Sequence, residues 1–265
     1  MIIWIASYPK SGNTWLRAFL SAYLYMDSSK SNFDFKLLRN IRKFPQINQF
    51  KTIGINPKNF DEVSQSWIPI QNKINSNKKI NFLKTHNAFG SVGNFKFTNK
   101  ENTLGLIHLV RDPRDVLISY NHHMNHSLDT TLEWLIDDNH KHYLSGKNDV
   151  IGEIVGSWSQ HYNSWKSFSL ARKITIKYED LIKNPIKKFS EIISFLNDLY
   201  GLEFNKEKIK KCIEITSFQK LKKLEKKTGF EEKFKSSNEP FFKEGKMKQW
   251  KNMDNYKIIA KVELA

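Results

Sequence analysis

The chain of 265 residues is 39% hydrophobic and carries a formal net charge of +16, values typical of a globular protein long enough to bury a core. No apolar run reaches the ~18 residues that a membrane span needs, and residues 1–6 lack the basic start and the length of a signal peptide. We therefore expect a cytoplasmic protein without a membrane span, and the single cysteine, Cys212, excludes an internal disulfide.

The positive charge comes mainly from lysines spread along the chain, since only six of the 43 basic residues are arginine. Clustered lysine and arginine would indicate nucleic-acid binding through the release of phosphate counterions. The scattered lysines favour compositional drift together with an anionic small ligand over a specific nucleic-acid partner. Because arginine is scarce, Arg111 and Arg114 are more informative than any lysine run.

The first predicted elements are a buried strand at residues 2–6 and a helix over Thr14–Tyr25, with SYPKSGNTW (residues 7–15) at their junction. A strand, a glycine-containing turn and a helix open an α/β phosphate-binding unit. Backbone N–H groups of the turn Pro9–Thr14 can converge on an anion at the helix N-terminus. A plain strand-turn-helix is the alternative.

The turn has almost the spacing of the nucleotide-binding P-loop G-x-x-x-x-G-K-[ST], but Ser7 replaces the first glycine and Asn13 the lysine. Asn13 cannot supply the charge that a P-loop lysine brings to the β- and γ-phosphates. A lysine is present three residues earlier, at Lys10. Its expected role is to neutralise the leaving oxygen of a diphosphate-like bridge without a metal.

The next region, residues 27–75, is polar, rich in asparagine and poorly periodic, which predicts an irregular excursion. The strand INFLK (residues 80–84) follows and leads into Lys84-Thr85-His86. A neutral imidazole at the carboxyl end of a strand can take a proton from a hydroxyl or an amine, so His86 is a candidate base. As one of eight histidines, it is alternatively structural or merely exposed.

A second phosphate-binding element follows the strand LGLIHLV (residues 104–110), which is apolar enough for an interior parallel strand. Asp112 and Pro113 are typical of the N-cap and first position of a helix. Arg111 lies at the carboxyl end of the strand, where open α/β sheets bind ligands, and its planar fork suits a phosphate. Ser119 lies two turns further along. The alternative is a surface network in which Arg111 and Arg114 pair with Asp112 and Asp115.

The rest of the chain alternates further helices and strands. We predict a helix over Glu153–Leu170, a strand over Arg172–Lys177, a helix capped by Asp180 that reaches about Leu199, a helix capped by Asn205 that reaches about Ile215, and a polar segment over Thr228–Asn238. No internal repeat and no linker rich in Pro, Gly or Ser interrupts this order. We therefore predict one domain over residues 1–265.

Six motifs in this order resemble those of the cytosolic-type sulfotransferases: SYPKSGNTW (7–15), KTH (84–86), VRDPRDVLISY (110–120), KYEDL (177–181), TSF (216–218) and FKEGKMKQWKN (242–252). The resemblance implies a single α/β domain related to P-loop kinases, with a central parallel sheet flanked by helices. It also implies in-line transfer of the sulfuryl group from 3′-phosphoadenosine 5′-phosphosulfate (PAPS) to a hydroxyl or amine of a small-molecule or glycan acceptor, without a metal.

The resemblance further implies roles for individual residues. His86 would be the general base, Lys84 would stabilise the sulfuryl group in transfer, and Lys10 would act on the leaving phosphate. The residues expected to bind PAPS and its desulfated product PAP are Lys10, Ser11, Gly12, Asn13 and Thr14 at the 5′-phosphosulfate; Trp15, Tyr178, Thr216 and Phe218 at the adenine; and Arg111, Ser119, Lys243 and the Gly245 loop at the 3′-phosphate.

Some features depart from the family pattern or leave choices open. Glu244 stands where family members often carry a lysine, which puts the 3′-phosphate contacts in question. We expect the acceptor pocket in residues 27–75, 87–97, 122–124 and 228–242. Phenylalanines there (Phe33, Phe35, Phe89 and Phe95) indicate a ring-bearing acceptor or ordinary core packing. The acceptor and the oligomeric state stay open, and the alternative functions are a P-loop nucleotide kinase and a basic nucleic-acid-binding protein.

Overall fold

The computed structural model describes residues 1–124, 126–145, 150–233, 239–253 and 255–264. Its strands are β1 Ile2–Ser7, β2 Arg42–Lys43, β3 Asn81–Thr85, β4 Ser91–Val92, β5 Phe95–Lys96, β6 Thr103–Val110, β7 Lys141–Ser145, β8 Val150–Ile154 and β9 Arg172–Lys177. Its α-helices are α1 Asn13–Tyr25, α2 Ile47–Lys51, α3 Phe60–Gln65, α4 Trp67–Asn75, α5 Pro113–Met124, α6 Leu128–Ile136, α7 Trp158–Lys166, α8 Tyr178–Lys183, α9 Pro185–Tyr200, α10 Lys206–Ile215, α11 Phe218–Thr228 and α12 Tyr256–Leu264. Short 3₁₀ helices cover Phe35–Asn40 and Gln249–Asn252.

The main sheet has five strands in the order β2-β3-β1-β6-β9. β3 runs parallel to β1, with Ala6 opposite Thr85, and β2 runs parallel to β3. Every residue of β1 is buried, as expected of an interior strand covered on both faces. The pairs β4-β5 and β7-β8 form two separate antiparallel ribbons. The predicted α/β class with a central parallel sheet is confirmed.

The chain divides into two compact units, and each is assembled from separate segments. Unit 1 comprises Met1–Tyr8, Arg42–His108 and Ile136–Thr175, and unit 2 comprises Pro9–Ile41, Leu109–Leu135 and Ile176–Ala265. The expectation of one domain over residues 1–265 remains a prediction.

Aromatic side chains form the core of unit 1. The Trp4 ring of β1 lies 5.1 Å from Phe97 and 5.6 Å from Phe44, and Trp67 of α4 lies 5.4 Å from Phe97, all between ring centroids. The predicted irregular excursion over 27–75 is therefore wrong in part, because this region holds β2, three short α-helices and a 3₁₀ helix. Helices of five to nine residues are too short to show a full apolar period, and burial in the core stabilises them instead.

The predicted helix over Glu153–Leu170 is also corrected. Residues Val150–Ile154 form β8, in which Glu153 pairs with His142 of β7, and the helix begins only at Trp158. Ser157 caps that helix, since its hydroxyl accepts a hydrogen bond from the Gln160 N–H at 3.0 Å. The helical spacing of apolar residues in α7 happens to extend towards the N-terminus over β8, although pairing with β7 makes that segment a strand.

Unit 2 contains the helices that follow the phosphate-binding motifs. The predicted helices at Thr14–Tyr25, after Pro113 and after Asn205 are present as α1, α5 and α10, and the Asn205 side chain accepts from Lys208 N–H at 2.9 Å. The single helix predicted from Asp180 to Leu199 is instead α8 and α9. Pro185 separates them, because proline lacks an N–H and disfavours a helical residue before it.

Candidate active site

The loop after β1 is shaped by Gly12 and Tyr178, both in unit 2. Gly12 has a φ of 93° and is the N-cap of α1. A Cβ atom placed on it would lie 2.4 Å from Cδ2 of Tyr178, which is inside the van der Waals limit. Lys10 is in the left-handed region too, with a φ of 65°. Within the described residues no side chain caps α1, so its N-terminus offers backbone dipoles to an anion.

Arg111 joins three of the predicted motifs. Its Nη1 donates to the Lys10 carbonyl oxygen at 2.9 Å and its Nη2 donates to the Lys246 carbonyl oxygen at 3.2 Å. Its guanidinium carbon lies 4.6 Å from the centroid of the Tyr178 ring, as a stacked cation does. The side chain is buried. The structure therefore brings Arg111, Lys10, Tyr178 and the loop around Gly245 together in unit 2.

The Gly245 loop packs directly on Phe218. Gly245 has a φ of 63°, and a Cβ there would lie 2.5 Å from Cδ2 of Phe218. The Phe218 ring lies 5.9 Å from Phe242. Lys243 pairs with Glu239 at 3.2 Å, and Glu244 pairs with Lys246 at 3.0 Å. The unusual anion at Glu244 is thus compensated by a neighbouring lysine of the same loop.

Two buried polar atoms of the first motif have no protein partner among the described residues: the Ser11 hydroxyl and the Trp15 indole nitrogen. Buried polar groups are normally hydrogen-bonded, so such atoms are typical of a ligand site. The Trp15 ring packs edge-on against Phe189 at 5.4 Å and Tyr178 at 6.3 Å. These residues fit a polar, ring-bearing ligand such as a nucleotide.

The contacts of three further predicted residues of unit 2 (Thr216, Ser119 and Lys10) do not by themselves indicate a ligand. Thr216 is buried and its hydroxyl donates to the Cys212 carbonyl at 2.6 Å, which leaves its oxygen able to accept from an amino group. Ser119 lies partly buried on α5. The Lys10 ammonium lies 4.1 Å from the centroid of the Phe241 ring. The binding roles assigned to these residues stay predictions.

The sequence did not indicate two buried carboxylates of unit 2. Asp115 of α5 accepts from the backbone N–H of Lys248 at 2.7 Å, and Glu225 of α11 accepts from those of Phe241 and Phe242 at 2.7 and 3.0 Å. Both hold the segment around Gly245. Acidic residues on helices are usually solvated, so only their burial distinguishes them.

The surface-network alternative holds for Arg114, whereas Arg111 is buried. Arg114 forms a salt bridge with Asp112 at 2.7 Å and another with Glu263 at 2.6 Å, and it stacks 3.8 Å from the centroid of the Trp250 ring. The Asp112 side chain also accepts from the Arg114 N–H at 3.0 Å, as the predicted N-cap of α5 should.

The candidate base lies in unit 1, where the pairing of β1 with β3 places His86 beside Ser7. The Nδ1 atom of His86 is 2.7 Å from the Ser7 carbonyl oxygen. Because a carbonyl can only accept, Nδ1 carries the hydrogen and Nε2 carries the lone pair. Burial, followed by the positive charges of Lys84 and Lys43, holds the pKa of His86 well below its ordinary value. The imidazole is therefore neutral near pH 7 with Nε2 as its basic atom.

Lys84 and a third carboxylate complete the neighbourhood of His86. Lys84 is buried in β3. Glu153 of β8 is buried, forms a salt bridge with Lys43 at 3.0 Å and accepts from the His86 backbone N–H at 3.4 Å. Only the β7-β8 pairing places this contact, because the sequence predicts a helix at Glu153.

The aromatic residues noted for the acceptor mostly serve the core. Phe89 packs 5.4 Å from Trp165, Phe35 stacks 5.9 Å from Phe242, and Phe33 is buried, whereas Phe95 is 40% exposed. Part of the predicted acceptor region, residues 234–238, lies outside the described residues.

Two predicted absences can be compared with the described part of the chain. It contains no group of three or more His, Cys, Asp or Glu residues placed to hold a metal ion. None of its helices is long and apolar enough to cross a membrane. A metal-free reaction and a cytoplasmic location both remain predictions.

Comparison with known proteins decides the family. The model of the sulfotransferase domain matches residues 2–264. The chain belongs to the sulfotransferase domain family. It is 24% identical over 270 residues to flavonol 3-sulfotransferase of Flaveria bidentis, an alignment that covers 98% of this chain and 79% of that protein. The predicted enzyme class, a PAPS-dependent sulfotransferase, is thereby confirmed.

Solved structures show the same fold at low sequence identity. The mouse sulfotransferase SULT7A1 complexed with PAP aligns with a TM-score of 0.62 at 20% identity, over 99% of this chain and 82% of that one. Retinol dehydratase in a complex with retinol and PAP aligns with a TM-score of 0.61 at 16% identity, over 99% and 79%. The predicted P-loop-kinase-like class is confirmed by this likeness of fold.

Proposed function

We propose that this sulfotransferase transfers the sulfuryl group of PAPS to a hydroxyl group of a small, ring-bearing acceptor, with His86 as the general base. The observation that carries the proposal is the contact between Nδ1 of His86 and the Ser7 carbonyl oxygen at 2.7 Å. The bond from Nδ1 to Ser7 fixes one tautomer, and burial with two nearby lysines keeps the ring neutral. A neutral imidazole with a basic Nε2 is the form that removes a proton from a hydroxyl.

The choice of acceptor rests on the relatives. One relative is named flavonol 3-sulfotransferase, and one solved structure is retinol dehydratase in a complex with retinol and PAP. Flavonols and retinol are both small molecules with a ring and a hydroxyl group. An amine or a glycan hydroxyl would use the same base, so these acceptors are the alternatives.

The nucleotide is assigned to residues of unit 2. The Pro9–Thr14 loop, with Lys10, Ser11, Gly12, Asn13 and Thr14, binds the 5′-phosphosulfate through backbone N–H groups and the Lys10 ammonium. Arg111, Ser119, Lys243 and the Gly245 loop bind the 3′-phosphate. Trp15, Tyr178, Thr216 and Phe218 surround the adenine. The unpartnered Ser11 hydroxyl and Trp15 indole nitrogen support a polar ligand here.

The reaction is an in-line displacement at sulfur. The acceptor oxygen forms a bond to sulfur while its proton passes to Nε2 of His86, and the bond between sulfur and the 5′-phosphate oxygen breaks to release PAP. Lys10 neutralises the charge that grows on the phosphate, and Lys84 stabilises the sulfuryl oxygens. Orientation and preorganised charge supply most of the acceleration.

The test compares ligands in the intact protein by their effect on tryptophan fluorescence. We expect tight, magnesium-independent binding of PAP. Magnesium-dependent binding of ATP would favour a nucleotide kinase, and binding of single-stranded DNA that falls steeply with salt would favour a nucleic-acid-binding protein. Transfer from radiolabelled PAPS to a panel of phenols, alcohols, sugars and amines then identifies the acceptor class. A preference for amines or sugars would overturn the proposed acceptor.

A further inference from the structure

We propose that Glu153 and His161 are positioning residues for His86. Together they bind the backbone N–H and the backbone C=O of His86. The Nδ1 atom of the imidazole therefore stays on the Ser7 carbonyl, and Nε2 stays available as the base. The inference rests on the proposed role of His86 and concerns residues of unit 1 alone.

The need for such contacts follows from the end of β3. The strand stops at Thr85, so the backbone N–H and C=O of His86 lie beyond the hydrogen bonds that pair such groups within the sheet. A buried peptide without partners would cost free energy and would leave the ring free to reorient. The structure supplies partners from two other elements, β8 and α7.

Glu153 binds the backbone N–H of His86. Its Oε1 accepts from the His86 N–H at 3.4 Å, and its Oε2 lies 3.0 Å from Nζ of Lys43. The adjoining residues are paired more tightly, since Ile154 accepts from Ala88 N–H at 2.7 Å and donates to the Asn87 side chain at 2.8 Å. β8 therefore runs along residues 86–88 and delivers the Glu153 carboxylate to the base.

His161 binds the backbone C=O of His86. It lies on α7 with a 1% exposed side chain and is hydrogen-bonded to the His86 backbone. Since Nε2 of His161 has no partner in the described residues, Nδ1 is the donor to the His86 carbonyl. Burial lowers the pKa of His161 to about 3, so the ring keeps this neutral donor form at every working pH. The rings of His161 and Tyr8 are nearly perpendicular, with their centroids 5.4 Å apart.

The charges that face His86 come from every packed element. Lys84 of β3, Lys43 of β2 and His142 of β7 disfavour the imidazolium, and the Ser7 carbonyl of β1 favours it. Glu153 of β8 is the carboxylate among these groups, and it neutralises Lys43. A variant of Glu153 must therefore be tested together with Lys43 to separate positioning from charge.

The experiment compares variants that remove each hydrogen bond with variants that keep it. Glu153→Met in a Lys43→Met background and His161→Leu remove the bonds. Glu153→Gln in the same Lys43→Met background retains an acceptor oxygen, and His161→Asn retains a donor at the place of Nδ1. Gln71→Leu, which deletes two buried hydrogen bonds elsewhere in unit 1, controls for general loss of stability.

Three quantities are measured for each full-length variant: kcat for sulfuryl transfer, Kd for PAP, and the tautomer of His86 from its ¹⁵N shifts. We expect the removing variants to lower kcat on the order of tenfold to a hundredfold and to mix the tautomers, because small displacements of a reacting group are costly. We expect the retaining variants and Gln71→Leu to keep the Nδ1–H tautomer and a kcat near that of the parent protein. PAP binding should be unchanged throughout.

Two outcomes would overturn the inference. One is an unchanged kcat and tautomer in both removing variants, and the other is an equal loss in the retaining variants, since the hydrogen bond would then not be the cause. Failure of the proposed function is seen separately, as full transfer by His86→Ala. The tautomer would still decide the positioning of the ring in that case.

Discussion

Nη1 of Arg111 donates to the carbonyl oxygen of Lys10 at 2.9 Å, so the arginine at the end of β6 holds the backbone of the loop that follows β1. The second nitrogen of the fork, Nη2, holds Lys246 in the Gly245 loop. Two motifs, whose residues Lys10 and Lys246 are 236 positions apart by subtraction of their sequence numbers, are thus fixed by one planar cation, which a lysine could not do because it lacks the fork.

The first prediction concerns Arg111→Ala. Hydrogen bonds to charged groups contribute ~1.5–3 kcal/mol each, so we expect the Kd for PAP to rise about a hundredfold. Binding of adenosine 5′-phosphosulfate, which lacks the 3′-phosphate, should weaken much less. Calorimetric titration of both nucleotides measures the difference. Arg39→Ala, which removes an exposed arginine, is the matched control. Equal losses for the two nucleotides would refute the 3′-phosphate assignment.

The second prediction concerns Gly12→Ala. The new methyl group would meet the Tyr178 ring at 2.4 Å and would also have to adopt a φ of 93°. Gly54→Ala is a matched control, because Gly54 has a φ of 78° but open space around it. Both variants should lose ~1–2 kcal/mol of unfolding free energy from backbone strain. Only Gly12→Ala should lose more than this and fail to bind PAP, as urea denaturation and calorimetry would show. Normal PAP binding by Gly12→Ala would contradict the assignment of the loop.

The third prediction concerns His86→Ala. Loss of a general base costs about 10²- to 10⁴-fold in rate, so sulfuryl transfer should nearly vanish. PAP should still bind with the parent affinity, since no nucleotide role is assigned to His86. Rapid-quench transfer assays and fluorescence titration test the two halves, with the exposed His126→Ala as control. Undiminished transfer would remove His86 from the mechanism.

The fourth prediction is a loss of stability in mild acid. His86, His108 and His161 are buried with lowered pKa values, about 4 for His108 and about 3 for His161, chiefly because of burial. In the unfolded chain these histidines have the ordinary pKa of ~6.5, so they bind protons at pH values at which the buried rings of the folded chain stay neutral. Stability is therefore complete above about pH 6.5 and falls as the pH drops toward the folded pKa values.

Each fully affected histidine contributes a slope of about 1.4 kcal/mol per pH unit. Urea denaturation between pH 7.5 and 5 should show this loss. His108→Asn, which removes one titrating group, should make the slope shallower by one proton. A stability that is independent of pH over this range would contradict the burial of the uncharged rings.

Local patterns determined much of the fold and several site residues. The apolar run of β1, the helical period of α1, the Asp112–Pro113 start of α5 and the Asn205 cap of α10 were predicted, because hydrophobic periodicity and capping act over a few residues. The same locality explains the errors. The helix predicted across Glu153 is a strand at that point, since nothing near it in the sequence encodes its pairing with β7.

Lys10, Arg111 and His86 were identified as candidates by residue type and by position at the ends of strands. Only the tertiary structure decided that Tyr178 supports the loop at Gly12, that Asp115 holds the Gly245 loop, and that Glu153 reaches the His86 peptide. These contacts join residues from 67 to 166 positions apart, by subtraction of their sequence numbers. The sequence alone thus determined which chemical groups the protein carries and the local elements that present them. Long-range burial and hydrogen bonding, which leave no periodic trace in the chain, decided what holds those groups in place.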